Sequence, residues 1–307
     1  MPVREGLMGL STERRILLAY LAVCLFWGST YLAMRVAVTH FPPDLFAGIR
    51  HGLSGAMVLA WCVATGKKFP ASLGGWARAA VPGILLLTIP NGIIMHAEQW
   101  VHSGITAVLL SITPLFVAVL EIPFERNNKM GIPGAALLLT GFVGTAILVL
   151  AGKNLGSIDL FGAGLILLAS LFWAIGTMYS KFARYEGDLS TRVGIQMVTA
   201  SLILIPFGTF RGEWAVAHWS SEAALAMAFL VVFGSIVGYT ANMYVLVKWP
   251  ASLALTSAYV NPVVAVILGV LLLGEGLDQG SFLGILVTLG SVVGMHFWRF
   301  RKSVGLN

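Results

Sequence analysis

The chain has 307 residues, of which 58% are hydrophobic and only 10% charged, with a mean hydropathy of +0.88. Soluble domains carry about 25% charged residues, so this composition excludes an ordinary soluble enzyme or binding module and points to an integral membrane protein. The net charge of +6 is spread over short basic clusters between apolar runs, where it orients a chain in a bilayer rather than binding nucleic acid.

A helix needs about 20 mainly apolar residues to cross the hydrocarbon core, and ten runs qualify. The first, residues 16–38, follows Arg4, Arg14 and Arg15 and is too long for a signal-peptide core, so it reads as a retained helix. Trp27, Ser29, Thr30 and Tyr31 lie in it. The second run, 45–65, holds Arg50; the third, 77–97, holds Asn91 and His96, with Glu98 just beyond its end. The fourth, 103–123, carries Ser111, Thr113 and Pro114, and 131–151 is the fifth. The sixth, 160–182, contains Trp173, Thr177 and Tyr179, and is followed by 192–210. The eighth, 223–247, carries Tyr239, Asn242 and Tyr244, the ninth, 251–273, Tyr259, Asn261 and Pro262, and the tenth spans 281–298.

These runs form a duplication. The stretch LFWGSTYLAMRVA, residues 25–37, returns 146 positions later as LFWAIGTMYSKFA. Thr113-Pro114-Leu115 returns as Asn261-Pro262-Val263 at an offset of 148, and Glu125 with Gly134 and Gly144 as Glu275 with Gly284 and Gly294 at 150. Residues 12–151 and 157–300 are therefore two repeats of five helices. With a cytoplasmic N-terminus and ten crossings, 15 of the 19 Lys and Arg residues fall on the cytoplasmic side, which supports the count and puts both termini there. Five is odd, so the second repeat enters the membrane from the opposite side. The expected fold class is an all-α integral membrane protein: ten transmembrane helices in two inverted five-helix repeats. Inverted repeats of this kind place a substrate site near the midplane between the halves.

The residues LFWGSTY in the first helix, Ala47-Gly48-Ile49-Arg50 in the second and Asn91-Gly92 with Ala97-Glu98 in the third carry a resemblance, extended by Thr113-Pro114-Leu115-Phe116 and by Ala258 to Val263 with Gly274-Glu275. The chain resembles the EamA family of the drug/metabolite transporter superfamily over nearly its full length. Within that family it is similar to the branch of bacterial inner-membrane permeases that contains YedA and the pigment exporter PecM. The resemblance implies a central cavity lined by the first, third and fourth helices of each half, and export of amino acids, pigments, drugs or other metabolites. The substrate does not travel with the fold.

Polar and aromatic groups inside apolar helices are costly unless they meet a partner or a water-filled space. The candidate substrate-binding residues are therefore Trp27, Ser29, Thr30 and Tyr31 with Trp173 and Thr177; Asn91, His96 and Glu98 with Tyr239, Asn242 and Tyr244; and Ser111 with Tyr259 and Asn261. Pro114 and Pro262 are candidate hinges, because proline removes a backbone donor and kinks a helix, although the same residues also serve plain packing. Glu98 either carries a proton or meets a cationic substrate, or it forms a structural ion pair with Arg50. The glycine pairs 48/52, 234/238, 280/284 and 290/294 have the spacing of close helix contacts. Gly52-Leu53-Ser54-Gly55 matches the serine motif of rhomboid intramembrane proteases, but the helix number and the duplication speak against that reading. Cys24 and Cys62 lie in apolar runs without metal-ligand spacing. The expectation is a transporter and no enzyme, located in the cell inner membrane. It has no cofactor or metal beyond possible coupling to protons, its partners are a small-molecule substrate and the lipid bilayer, and it is a monomer or homodimer. Export of amphipathic metabolites such as amino acids leads, with multidrug efflux as the alternative.

Overall fold

The computed structural model describes residues 11–38, 41–97, 101, 103–124, 130–151, 159–273 and 278–303. Ten helical spans follow one another and no strand occurs among the described residues. They are α1 (Thr12–Val38), α2 (Pro43–Ala64), α3 (residues 73–97), α4 (103–121), α5 (Gly131–Leu150), α6 (Leu160–Phe182), α7 (Leu189–Phe210), α8 (Ser221–Lys248), α9 (251–273) and α10 (Gln279–Ser303). Four of them start at polar side chains that take up orphan amides of the first turn. Ser72 accepts from Gly75 N at 3.0 Å, Asp159 from Gly162 N at 2.6 Å, Ser220 from Ala223 N at 3.1 Å and Asp278 from Ser281 N at 2.9 Å. These caps explain why α3 starts at Leu73, earlier than the apolar run alone implies.

The outer faces are hydrocarbon. Leu21, Phe161, Phe210, Leu271 and Phe297 are all more than half exposed, as lipid-facing residues are. Inside, repeat mates pack against each other: α2 lies along α7 and α5 along α10. Glycine makes both contacts possible. A Cβ on Gly55 would lie 2.9 Å from Val198 N and one on Gly52 2.6 Å from Ser201 Oγ, while Gly144 faces Thr288 N at 2.7 Å and Gly284 abuts the Leu148 backbone. Small residues therefore bring backbones together where lipid supplies no hydrophobic drive. The remaining helices cross between halves. α1 packs on α8 and α9 of the second repeat, and α6 packs on α3 and α4 of the first. The space between α1 and α6 is thus enclosed by both repeats.

Four of these spans are irregular, and the irregularities are paired by the repeat. α3 contains a π-helical stretch, Gly83–Thr88, and its mate α8 a longer one, Leu230–Tyr239. Such stretches shift carbonyls out of the regular ladder and are frequent at functional sites. α4 breaks at Ser111-Ile112, so that Pro114 starts the helix Thr113–Glu121, where a missing N–H costs nothing. α9 breaks earlier than its mate, at Leu255-Thr256, and Pro262 lies inside the helix Ser257–Leu273. Hydroxyls occupy carbonyls at both breaks: Ser111 Oγ donates to Val108 O at 2.7 Å, and Thr256 Oγ1 to Leu253 O at 2.7 Å.

Candidate functional site

A cavity of about 160 Å³ lies where the two repeats meet. The first repeat lines it with Trp27, Thr30 and Met34 of α1, Arg50 and His51 of α2, and Leu87 and Asn91 of α3. The second contributes Trp173 of α6, Gly234 and Tyr239 of α8, and Asn261 of α9. Two pairs of repeat mates therefore face one space, Trp27 with Trp173 and Asn91 with Tyr239. The two indoles stand edge to face, with ring centroids 5.9 Å apart and planes at 85°.

The π-helical stretch of α8 shapes this wall. Trp27 Nε1 donates to the carbonyl of Gly234 at 3.1 Å, a satisfied indole N–H of the kind burial requires. A Cβ on Gly238 would come within 2.8 Å of the same nitrogen, and one on Gly234 within 2.8 Å of Arg50 Nη2. This glycine pair makes room for side chains rather than for a helix backbone. Arg50 is held by its Nε, which donates to Ser235 Oγ at 2.8 Å. Tyr239 OH donates to Gln196 Oε1 at 2.8 Å, and Asn91 Nδ2 donates to Leu87 O. The offset of 146 that relates α1 to α6 places Gln196 at the position of Arg50, so the second repeat answers a guanidinium with a neutral amide. The cavity is consequently asymmetric in charge. Two buried groups in its wall have no hydrogen-bond partner among the described residues: Nδ1 of His51, which is 4% exposed, and Oδ1 of Asn261, which is 5% exposed.

The structure thus brings Trp27, Thr30, Asn91, Trp173, Tyr239 and Asn261 together and leaves other candidates elsewhere. Ser29 turns back to Phe26 O at 2.8 Å. Thr177 and Asn242 are buried, and Tyr244 packs against the core that contains Met243. Ser111 is spent at the α4 break, and Tyr259, 1% exposed, donates its hydroxyl to Leu138 O at 3.0 Å, pinning α9 to α5. Glu98 and the side chain of Tyr31 lie outside the described residues, and the expected Glu98–Arg50 pair with them. The sequence reading had assigned no cavity role to Arg50 or His51, two adjacent ionisable residues inside an apolar helix.

His96 sits at the far end of the bundle from the chain termini, in a cluster that ties the repeats together. Arg211 Nη1 lies 3.1 Å from the fully buried Asp44 Oδ2, and His96 Nε2 lies 3.7 Å from the same oxygen and meets Arg211. Glu213, in the turn after α7, accepts from Leu45 N at 2.9 Å and so caps α2 from the opposite repeat. Burial and the neighbouring Asp44 carboxylate push the Glu213 carboxyl up from its ordinary 4.5, against the pull of the Leu45 amide. A carboxyl raised in the folded state holds its proton more firmly there than in the unfolded chain. Its contribution to stability is present below 4.5 and lost as the pH rises through the higher folded value. Glu213→Gln is expected to remove that part of the decline. In melts from pH 4 to 8, the variant's midpoint minus the parent's should climb as the pH passes above this window; parallel curves would contradict the assignment.

The opposite end is held by basic residues. Lys181 Nζ donates to Trp249 O at 2.5 Å, Arg78 pairs with Glu186 at 2.5 Å, and Arg299 lies 3.9 Å from the buried Glu121. Arg78–Glu186 and Glu121–Arg299 at this end, like Asp44–Arg211 at the other, join the two repeats, with the cavity between them.

A family model described as the EamA-like transporter family matches residues 14–150 and again 160–297. The chain is 37% identical over 278 residues to a protein called "Uncharacterized inner membrane transporter YedA" of Escherichia coli (strain K12), covering 90% of this chain and 88% of that one. It is 27% identical to "Uncharacterized transporter YoaV" of Bacillus subtilis (strain 168), over 94% and 99% of the two chains. Among solved structures, one titled "Crystal structure of protein" superposes with a TM-score of 0.77 over 95% of this chain and 99% of its own, at 16% identity; this likeness concerns the fold alone.

Proposed function

We infer, from the premise that the chain belongs to the EamA-like transporter family, that it moves small amphipathic metabolites, amino acids among them, out of the cell across the bacterial inner membrane by alternating access. The observation that carries this reading is the cavity built by repeat mates, with two indoles and a short set of polar groups in its wall. Such a wall suits a ligand with an apolar body and one polar head, bound weakly enough to leave. The contacts between repeats at the two ends support alternating access. The Asp44–Arg211–His96 cluster holds one end and the Glu121–Arg299 contact the other, and either opens by separating the same two repeats. The end that carries most of the Lys and Arg residues faces the cytoplasm in this reading. Transport is the whole activity. No nucleophile, base and orienting group are assigned, because the family is one of transporters and not of enzymes.

The test is flux. Purified protein reconstituted in liposomes is expected to release preloaded, labelled amino acids or aromatic metabolites faster than protein-free liposomes, with saturation. If a broad panel of such compounds leaked at the protein-free rate, the reading would fail.

A further inference from the structure

Arg50 is the one described guanidinium or ammonium group in the cavity wall, and no described carboxylate lines that wall. Its Nε is spent on a neutral hydroxyl, Ser235 Oγ at 2.8 Å, which does not neutralise it. No described carboxylate comes within ion-pair distance of it. A guanidinium at this depth is expensive unless an anion or water meets it. Glycine at 234 leaves the space in which Arg50 Nη2 stands, and both residues line the cavity. Beside it, His51 Nδ1 and Asn261 Oδ1 are buried polar atoms without described partners, a condition native structures rarely leave unmet.

Together these features define a ligand's charge. We propose that the cavity recognises an organic anion: a carboxylate on the Arg50 fork, a body of about one ring against Trp27 and Trp173, and an N–H or O–H of the ligand on Asn261. The size follows from the cavity's about 160 Å³, since a void of roughly 150 Å³ is enough to take up benzene. Arg meets carboxylates through two parallel charge-assisted hydrogen bonds, which gives selectivity as well as affinity. A cationic amphiphile would place like charge against Arg50, so this reading turns away from cationic drugs. It rests on the transport function proposed above and names the substrate class of the same cavity.

Four compounds with one phenyl body separate the possibilities: 3-phenylpropionate, phenylalanine, 3-phenylpropanamide and phenethylamine. Binding to the detergent-purified parent, read by thermal shift and by quenching of tryptophan fluorescence, is expected to be at least roughly tenfold tighter for the two acids than for the amide and the amine. Arg50→Gln is expected to erase that advantage, and Arg50→Lys to restore part of it. The proposal is overturned if the amine binds as tightly as the acids, if the acids keep their advantage in Arg50→Gln, or if none of the four binds the parent at millimolar concentration. Should Arg50→Gln not fold, the parent series and Arg50→Lys decide the matter. The same four compounds in liposomes keep the two readings apart. Flux without preference for acids overturns the anion assignment and leaves transport standing, whereas no flux of any compound removes transport itself.

Discussion

Glu121→Ala is expected to lower the melting temperature by on the order of 10 °C. The carboxylate ends α4 in the first repeat, is 4% exposed, and holds the start of α9 in the second. It accepts from Ala251 N at 2.6 Å, Ser252 N at 3.3 Å and Ser252 Oγ at 2.6 Å, and lies 3.9 Å from Arg299 Nη2 of α10. It is therefore an N-terminal cap supplied from another repeat, where the positive end of the helix favours an anion. Alanine would leave two buried amides without an acceptor and Arg299 without its nearby carboxylate. Breaking a buried pair by removing one partner costs about 3–5 kcal/mol, and the cap itself accounts for about 1 kcal/mol of such a loss. Glu121→Gln keeps an acceptor and loses the charge, so its melting temperature should fall between the two. Adding Arg299→Met to Glu121→Ala should recover part of the loss, because a missing pair is cheaper than a broken one. A Glu121→Ala protein that melts within a degree of the parent would refute the clamp.

The fold was legible because two signals are unambiguous in an apolar chain: the lengths of the runs and the return of LFWGSTY after 146 residues. That return made Trp27 and Trp173 readable as a pair, and the offset of 148 at Pro114 and Pro262 does the same for Asn91 with Tyr239, since an inverted repeat brings mates together across its axis. Polarity alone was a weaker guide. Ser29, Thr30, Ser111 and Thr113 each satisfy a hydroxyl on a carbonyl three residues earlier, and Tyr259 finds one on α5. A polar residue in a membrane helix therefore need not face water, and the sequence does not distinguish the two solutions. The π-helical stretches were invisible for a related reason. They change which carbonyl each amide meets, while the surrounding residues are apolar on every face and carry no period to disturb. His96 read as a candidate substrate-binding residue at the end of the third run, yet it is engaged by Arg211 and Asp44 from other helices, contacts that only the tertiary fold creates.

Trp27 and Trp173 are mates by sequence and unlike by contact, and their variants should differ accordingly. The Trp27 N–H reaches the Gly234 carbonyl, within the π-helical stretch, at 3.1 Å, while the Trp173 N–H donates to no described group. Trp27→Phe keeps a ring and removes that hydrogen bond, which costs about 0.5–1.5 kcal/mol. Trp173→Phe removes no such bond and should melt close to the parent. Truncation to alanine adds a void in both cases, and Trp→Ala in a packed site costs about 3–5 kcal/mol. For transport the order changes, because both rings face the cavity. Loss of an aromatic anchor typically removes 2 kcal/mol or more of binding, roughly a 30-fold change in affinity. Both alanine variants should therefore raise the half-saturating substrate concentration by about that factor, while both phenylalanine variants keep most of the flux. Equal melting of Trp27→Phe and Trp173→Phe would mean that the Gly234 contact carries no weight. Unchanged flux in Trp173→Ala would mean that the ligand does not sit between the indoles. The four variants thus separate what the α8 distortion does for the fold from what it does for the cavity: it presents one carbonyl, that carbonyl orients one indole, and the indole forms half of an aromatic wall whose other half needs no such support.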